Sequence, residues 1–120
     1  MNFKDFETCT DRTWFLTGRE SKINAALGVG GEAGEVVDMV KKELYHDKPV
    51  DPDEMMLEVG DVLFYLARIA RDYGFTLEEA AEAVNRKLLK RRPDGHLPKT
   101  QPVSCQPGYA DVRILEDSDE

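Results

Sequence analysis

The fold of this chain is decided by residues 51–74, DPDEMMLEVGDVLFYLARIARDYG. Asp51 is a typical N-cap residue, and Pro52 follows it at the first helical position, where its fixed backbone angle suits a helix. Gly74 accepts the left-handed backbone that commonly ends a helix. The pattern therefore predicts a single long helix over residues 51–73.

This predicted helix carries two stripes, one apolar and one polar, that run side by side. Residues three and four apart lie on the same face of a helix, so each stripe occupies one face. The apolar stripe is expected to face the core. Its members are Met55, Val59, Val62, Leu66, Ile69 and Tyr73. The polar stripe consists of Glu58, Asp61, Tyr65, Arg68 and Asp72.

Helical periodicity also dominates the rest of the chain, and strand-like alternation is not sustained. Helices are predicted over residues 2–14 with Asn2 as N-cap, over 21–46 with Ser21 as N-cap, and over 76–92 with Thr76 as N-cap. An apolar line on the second helix is expected to join the core. It contains Ala26, Ala33, Val37, Val40 and Leu44. Residues 1–95 are predicted to form one all-α domain resembling a four-helix bundle, and residues 96–120 a proline-rich, acidic tail.

Two acidic pairs, Glu32 with Glu35 and Glu58 with Asp61, have the spacing of neighbours on a helix face. Like charges at this spacing repel, so a cation between them is an obvious partner. Antiparallel packing of the second and third helices would bring all four carboxylates together. Oxygen ligands without His or Cys favour Mg²⁺ or Mn²⁺ over zinc. Solvated helix faces also produce such pairs, and this simpler interpretation competes with a metal site.

Composition narrows the possible partners. A formal net charge of -8 argues against a nucleic-acid groove or an anionic membrane surface. No apolar run reaches the roughly 18 residues that span a bilayer, and no secretory signal pattern begins the sequence, so a cytoplasmic location is expected. Cys9 and Cys105 suggest neither a disulfide scaffold nor a zinc site.

A glycine cluster, Gly28, Gly30, Gly31 and Gly34, lies beside the first acidic pair. It does not follow a strand, so it is a poor match to a dinucleotide-binding loop. Glycine within a helix costs about 1 kcal/mol relative to alanine. We therefore expect these glycines to permit close approach of a neighbouring helix or of a ligand.

Three blocks of sequence together resemble the MazG-type all-α nucleoside triphosphate pyrophosphohydrolases. The blocks are AALGVGGEAGEVVD at residues 25–38, EVGDVLFYL at 58–66 and KLLKRRPDG at 87–95. Their order and spacing make the resemblance specific over about residues 22–96. It implies hydrolysis of a nucleoside triphosphate to the monophosphate and pyrophosphate with Mg²⁺, in a homodimer or a dimer-based tetramer. The alternative is a non-catalytic helical module that binds nucleotide or protein.

The resemblance also implies roles for individual residues. The metal ligands are expected to be Glu32, Glu35, Glu58 and Asp61. Glu35 and Lys87 are the expected catalytic residues, with Glu35 taking a proton from the attacking water. Lys87, Arg91, Tyr65 and Asn85 are the expected substrate-binding residues. This sequence departs from the family pattern at Val84, where an asparagine is common, and at Arg92, which replaces a frequent tyrosine.

Overall fold

A computed structural model describes residues 1–95 of the chain. These residues form four α-helices and no strand, which confirms the predicted all-α class. The helices are α1 Phe3–Thr10, α2 Gly18–Tyr45, α3 Pro52–Tyr73 and α4 Leu77–Arg91, and a 3₁₀ turn, Asp11–Thr13, follows α1. Among the described residues, no helix combines the length and apolarity that crossing a membrane requires.

Helix α3 has the ends that the sequence predicts. The Asp51 carboxylate accepts a hydrogen bond from the N–H of Asp53 at 2.9 Å, and Pro52 is the first helical residue. At the other end Gly74 has a φ of 79°, in the left-handed region that other residues rarely adopt. Local sequence alone accounts for both boundaries.

Helix α1 is shorter than predicted. Asn2 caps it, since its side chain accepts a hydrogen bond from Asp5 N at 2.8 Å. The helix ends at Thr10 instead of continuing to Trp14. The backbone there tightens into the 3₁₀ turn, and the Asp11 carboxylate binds Arg68 and Arg71 of α3. Helix α1 thus ends beside a long-range ion pair, although the sequence pattern predicts a helix that continues to residue 14.

Helix α2 begins at Gly18, and the prediction that Ser21 caps it was wrong. Thr17 is the N-cap residue, although its side chain makes no capping hydrogen bond. Ser21 is buried inside the helix, where its hydroxyl accepts a hydrogen bond from Trp14 Nε1 at 2.9 Å and donates one to Asp72 at 2.6 Å. Ser21 therefore makes tertiary hydrogen bonds and does not cap the helix.

Helices α2 and α3 pack antiparallel along one polar seam. Ser21 contacts Asp72, Gly28 contacts Tyr65, and Glu32 lies with Asp61 and Glu58. From Ser21 to Gly28 to Glu32 the chain advances by seven and four residues, and from Asp72 to Tyr65 to Asp61 it retreats by the same steps. These steps approximate the 3.5-residue repeat of helices that cross at a shallow angle. We call these seven residues the α2–α3 seam.

The stripe assigned to the core is only partly buried. Val59, Leu66 and Tyr73 are exposed, whereas Met55, Val62 and Ile69 are half-buried. The polar stripe of α3 faces α2, and Arg68 within it is buried. On α2, Val37, Val40 and Leu44 of the predicted apolar line are exposed.

Among the described residues, the buried apolar ones are Ala25, Ala67 and Ala70. A stripe analysis assumes that the whole apolar face packs inside the subunit, and here part of that face lies outside it.

The segment before α2 is attached to α3 by charge and by an aromatic cluster. Arg68, which is 6% exposed, donates to Thr10 at 3.0 Å and pairs with Asp11. Arg71 pairs with the second oxygen of Asp11 at 2.8 Å. The Trp14 ring packs against Phe64 and Tyr65 of α3. This segment therefore reaches the side chains that line the α2–α3 seam.

Met1–Leu77 form one compact unit, and a second unit begins at Glu78. Most of α4 belongs to the second unit. The predicted tail, residues 96–120, lies outside the described residues, so the domain boundary at residue 95 stays a prediction.

Candidate metal centre

Three acidic side chains converge where the middle of α2 meets the middle of α3. Glu32, Glu58 and Asp61 each offer one carboxylate oxygen, and these three atoms lie within 4.8 Å of one another. Glu32 and Glu58 are partly buried, and Asp61 is exposed. The antiparallel packing expected from the sequence thus brings one member of the first pair to both members of the second.

Ionisation of the Glu58 carboxyl is unfavourable in this cluster. Its burial raises the pKa of its carboxyl above the ordinary value, and the adjacent carboxylate of Glu32 and the charges of Asp61 and Glu35 raise it further. One of its oxygens, Oε2, is buried and receives no hydrogen bond from the described residues. An anionic oxygen without water or a donor is costly. A cation would satisfy it.

Glu35 does not join the three converging oxygens, which differs from the expected set of four. Glu35 lies about one helical turn after Glu32 on α2, and its side chain is exposed. The pKa of Glu58 is raised first by burial and by Glu32, and the charge of Glu35 adds to the shift. Like charges repel, so a fourth carboxylate among these three is unfavourable without a cation.

The approach of α3 to α2 depends on Gly28. A Cβ atom at this position would lie 2.2 Å from Cδ1 of Tyr65, which is far inside van der Waals contact. A Cβ at Gly30, Gly31 or Gly34 would meet nothing within 4 Å. The expectation that glycine permits close helix approach therefore holds at Gly28, and the contacts of the described chain do not require it at the other three.

Tyr65 is held from two sides at this contact. Its ring lies 5.3 Å from the ring of Phe64 and 6.0 Å from that of Trp14, both in edge-on arrangements. Offset and edge-on geometries are the favourable ones for aromatic pairs. The structure thus places Tyr65 in a packed cluster, and its role in substrate binding stays a prediction.

The predicted basic residues lie on α4. Lys87 and Arg91 are one helical turn apart and exposed, and Val84 lies on the same side with 44% of its surface exposed. Asn85, one residue further, is half-buried. The roles of Lys87, Arg91 and Asn85 in binding a nucleotide stay predictions.

Sequence reasoning missed the residues that support the cluster. Ser21 was assigned to a cap, Asp72 and Arg68 were assigned to a polar face, and Trp14 was given no role. A usable signal existed in the spacing, because Ser21, Gly28 and Glu32 on α2 repeat in step with Asp72, Tyr65 and Asp61 on α3. Small residues on one helix opposite large ones on the other indicate close packing.

The donor set fits a hard divalent cation. Three carboxylates from two helices supply oxygen and no nitrogen or sulfur, which suits Mg²⁺ or Mn²⁺. The buried Oε2 atom of Glu58, which lacks a donor, is the observation that favours an ion over a solvated acidic surface. A solvated surface leaves its carboxylate oxygens open to water.

Comparison with known proteins bears on this geometry. Residues 21–96 match the family model described as "MazG nucleotide pyrophosphohydrolase domain", which is more than half of the chain. This chain belongs to the MazG family. All three converging acids lie inside the matched region, and the segment before residue 21, which carries Asp11 and Trp14, lies outside it.

A phage protein is among the relatives of this chain by sequence. The chain is 33% identical over 73 residues to the "Gene 37 protein" of Mycobacterium phage L5. The aligned part covers 58% of this chain and 64% of that protein, so the chain spans less than two thirds of the relative's length. No solved structure matches the chain.

The raised pKa of Glu58 predicts how stability depends on pH without metal. A carboxyl whose pKa is higher in the folded chain favours folding while protonated, and this contribution is lost as pH rises through the folded-state pKa. Glu58→Gln should therefore raise the melting temperature in EDTA at pH 7.5, and the gain over the unaltered protein should shrink at pH 4.5. Thermal unfolding of both proteins at both pH values measures this. Glu54→Gln, on the exposed first turn of α3, is the control, and a Glu58→Gln protein that melts lower at pH 7.5 would contradict the assignment.

Proposed function

We propose that this MazG-family protein hydrolyses a nucleoside triphosphate to the monophosphate and pyrophosphate with Mg²⁺. The observation that carries the proposal is the convergence of Glu32, Glu58 and Asp61 around a buried carboxylate oxygen without a donor. Membership of a nucleotide pyrophosphohydrolase family supplies the reaction class.

The three acids would hold the metal, with Mn²⁺ as a possible replacement. When bound, the ion supplies positive charge that offsets the charge of the triphosphate and Lewis acidity that activates water. Without it, a protein with a net charge of -8 would repel a polyanionic substrate. The raised pKa of Glu58, caused first by burial and then by the neighbouring carboxylates, supports this role, since a bound cation would stabilise the ionised carboxylate.

Glu35 is suited to accept a proton because it stays outside the group of three. The water oxygen forms a bond to phosphorus, the bond from phosphorus to the bridging oxygen breaks, and pyrophosphate leaves. We assign the proton released by water to Glu35. Its exposed carboxylate is close enough to the centre for its charge to act on Glu58.

Lys87 and Arg91 would bind phosphate oxygens. They share one face of α4 at a spacing of four residues, and both side chains are exposed and cationic. Charge-assisted hydrogen bonds to phosphate are stronger than neutral ones, and arginine can bind two oxygens at once.

Turnover should depend on both the metal and the acids. A panel of nucleoside triphosphates, assayed for pyrophosphate release with and without Mg²⁺, should show metal-dependent hydrolysis of at least one. Asp61→Ala should abolish this activity because it removes a ligand. Glu54→Ala, on the same helix, should retain it. Full activity in Asp61→Ala would refute the site, and nucleotide binding without any turnover would favour the non-catalytic module.

Loss of the cation at position 87 should weaken turnover without unfolding the protein. A charge-assisted hydrogen bond is worth about 1.5–3 kcal/mol, so Lys87→Ala should lower kcat/KM by tens-fold or more. Lys41→Ala is the control, because Lys41 is an exposed residue of α2 that pairs with Asp38. We expect this control to change stability by less than about 0.5 kcal/mol. Equal, negligible effects of the two substitutions on kcat/KM would remove Lys87 from the site.

The exposed apolar residues of α2 and α3 lead us to propose a homodimer or dimer-based tetramer. Val37, Leu44 and Leu57 are each at least 65% exposed, and within residues 1–95 the buried apolar residues are three alanines. Large contiguous apolar surfaces on soluble proteins mark interfaces. Light scattering at low micromolar concentration should give twice or four times the chain mass. A stable monomer there would contradict the proposal.

A further inference from the structure

We propose that Tyr65, seated on Gly28 and supported by Trp14, is a positioning residue that sets the separation of α2 and α3 at the metal centre. The inference rests on the proposed function, because it concerns how the three acids are held for a divalent cation. It assigns a role in metal binding to Trp14, which lies before the region that matches the family.

The contact lies one helical turn from the acids on both helices. Gly28 precedes Glu32 by four residues, and Tyr65 follows Asp61 by four, so each contact residue and its acid share a face. The Tyr65 ring lies where a Cβ of residue 28 would be, at 2.2 Å from Cδ1 and 2.4 Å from Cε1. The ring therefore limits how closely α2 and α3 can approach here, and any side chain at residue 28 would force them further apart.

The ring cannot turn away from Gly28 without disturbing Trp14. The indole lies 6.0 Å from both Tyr65 and Phe64, and its Nε1 donates a hydrogen bond to Ser21 at 2.9 Å. The Arg68 guanidinium lies over the indole ring, 5.3 Å from its centre. Trp14 is thus anchored to α2 through Ser21 and to α3 through Arg68.

A metal site is sensitive to this separation. Distances from a bound metal to its ligands hold within about 0.2 Å, and supporting residues must fix a site within about 0.5 Å. Glu32 comes from α2, and Glu58 and Asp61 come from α3, so a change in helix separation moves one ligand away from the other two. Nothing else described within one turn of the acids fixes α2 against α3 through a packed ring.

The test measures Mn²⁺ affinity of the full chain by electron paramagnetic resonance of the free ion. Gly28→Ala forces α3 away from α2 and should weaken Mn²⁺ binding at least tenfold. Gly30→Ala, the same change two residues along where a Cβ meets nothing, should stay within twofold. Circular dichroism should show the same helicity in both variants.

Trp14 is tested separately, which keeps the inference falsifiable if Gly28→Ala does not fold. Trp14→Ala should weaken Mn²⁺ binding several-fold, and Trp14→Phe, which keeps an aromatic ring against Tyr65, should recover most of the loss. Phe15→Ala, at an 85% exposed neighbour, is the control and should bind like the unaltered protein. At saturating Mn²⁺ the turnover of Trp14→Ala should return to within about threefold of normal. A positioning residue changes the affinity for the metal more than the rate of hydrolysis once the metal is bound.

The outcomes separate this inference from the proposed function. If the unaltered protein binds Mn²⁺ and hydrolyses nucleotide while folded Gly28→Ala or Trp14→Ala binds Mn²⁺ equally well, the positioning role is overturned and the enzyme stands. If the unaltered protein neither binds Mn²⁺ nor releases pyrophosphate, both are overturned.

Discussion

The close approach of α2 and α3 at Gly28 is the constraint on which the rest of the described structure depends. A tyrosine ring occupies the space of a missing side chain, so the two helices meet at a distance that no other residue at position 28 would allow. The same register then places Ser21 beside Asp72 at one end and Glu32 beside Asp61 at the other. One steric fit thus lies in the same register as the convergence of the acids.

The α2–α3 seam is polar, and it includes three carboxylates whose oxygens converge. Carboxylates that face each other across a helix interface oppose folding unless a cation is present. Favourable interactions lie further along α3, where Arg68 and Arg71 share the Asp11 carboxylate of the turn after α1. Helix α3 therefore carries attraction to the first segment at one end and repulsion from the acid of α2 nearer its middle, and a cation can relieve that repulsion.

The sequence predicts those parts of the molecule that local interactions determine. Asp51, Pro52 and Gly74 act on their own backbone, so the ends of α3 follow from the residues present. The acidic pairs were identifiable because helical spacing depends on the chain alone. The start of α2 was mispredicted because Ser21 can cap a helix or make a tertiary contact, and the choice depends on Trp14 and Asp72.

Two further differences arise from interactions that a single helix does not reveal. The apolar stripe of α3 was assigned to the interior, but Val59, Leu66 and Tyr73 are exposed, while the polar stripe packs against small residues of α2. Glu35 was grouped with Glu32 because of its spacing, but its carboxylate is not among the three that converge, where like charges repel. In both cases the deciding partner comes from another helix or from a nearby charge.

The attachment of the first helix also has a consequence for the order of folding. Thr10 and Asp11 meet Arg68 across 58 and 57 residues of chain, and the Glu7 carboxylate accepts a hydrogen bond from the N–H of Leu77 across 70. Contacts between residues so far apart in sequence form late, after the local pairing of α2 with α3 has reduced the loop that must close. During synthesis on the ribosome, the segment that carries Phe6 and Trp14 must therefore wait for its partners to be made. Its aromatic side chains are open to water, or to a chaperone, throughout that interval.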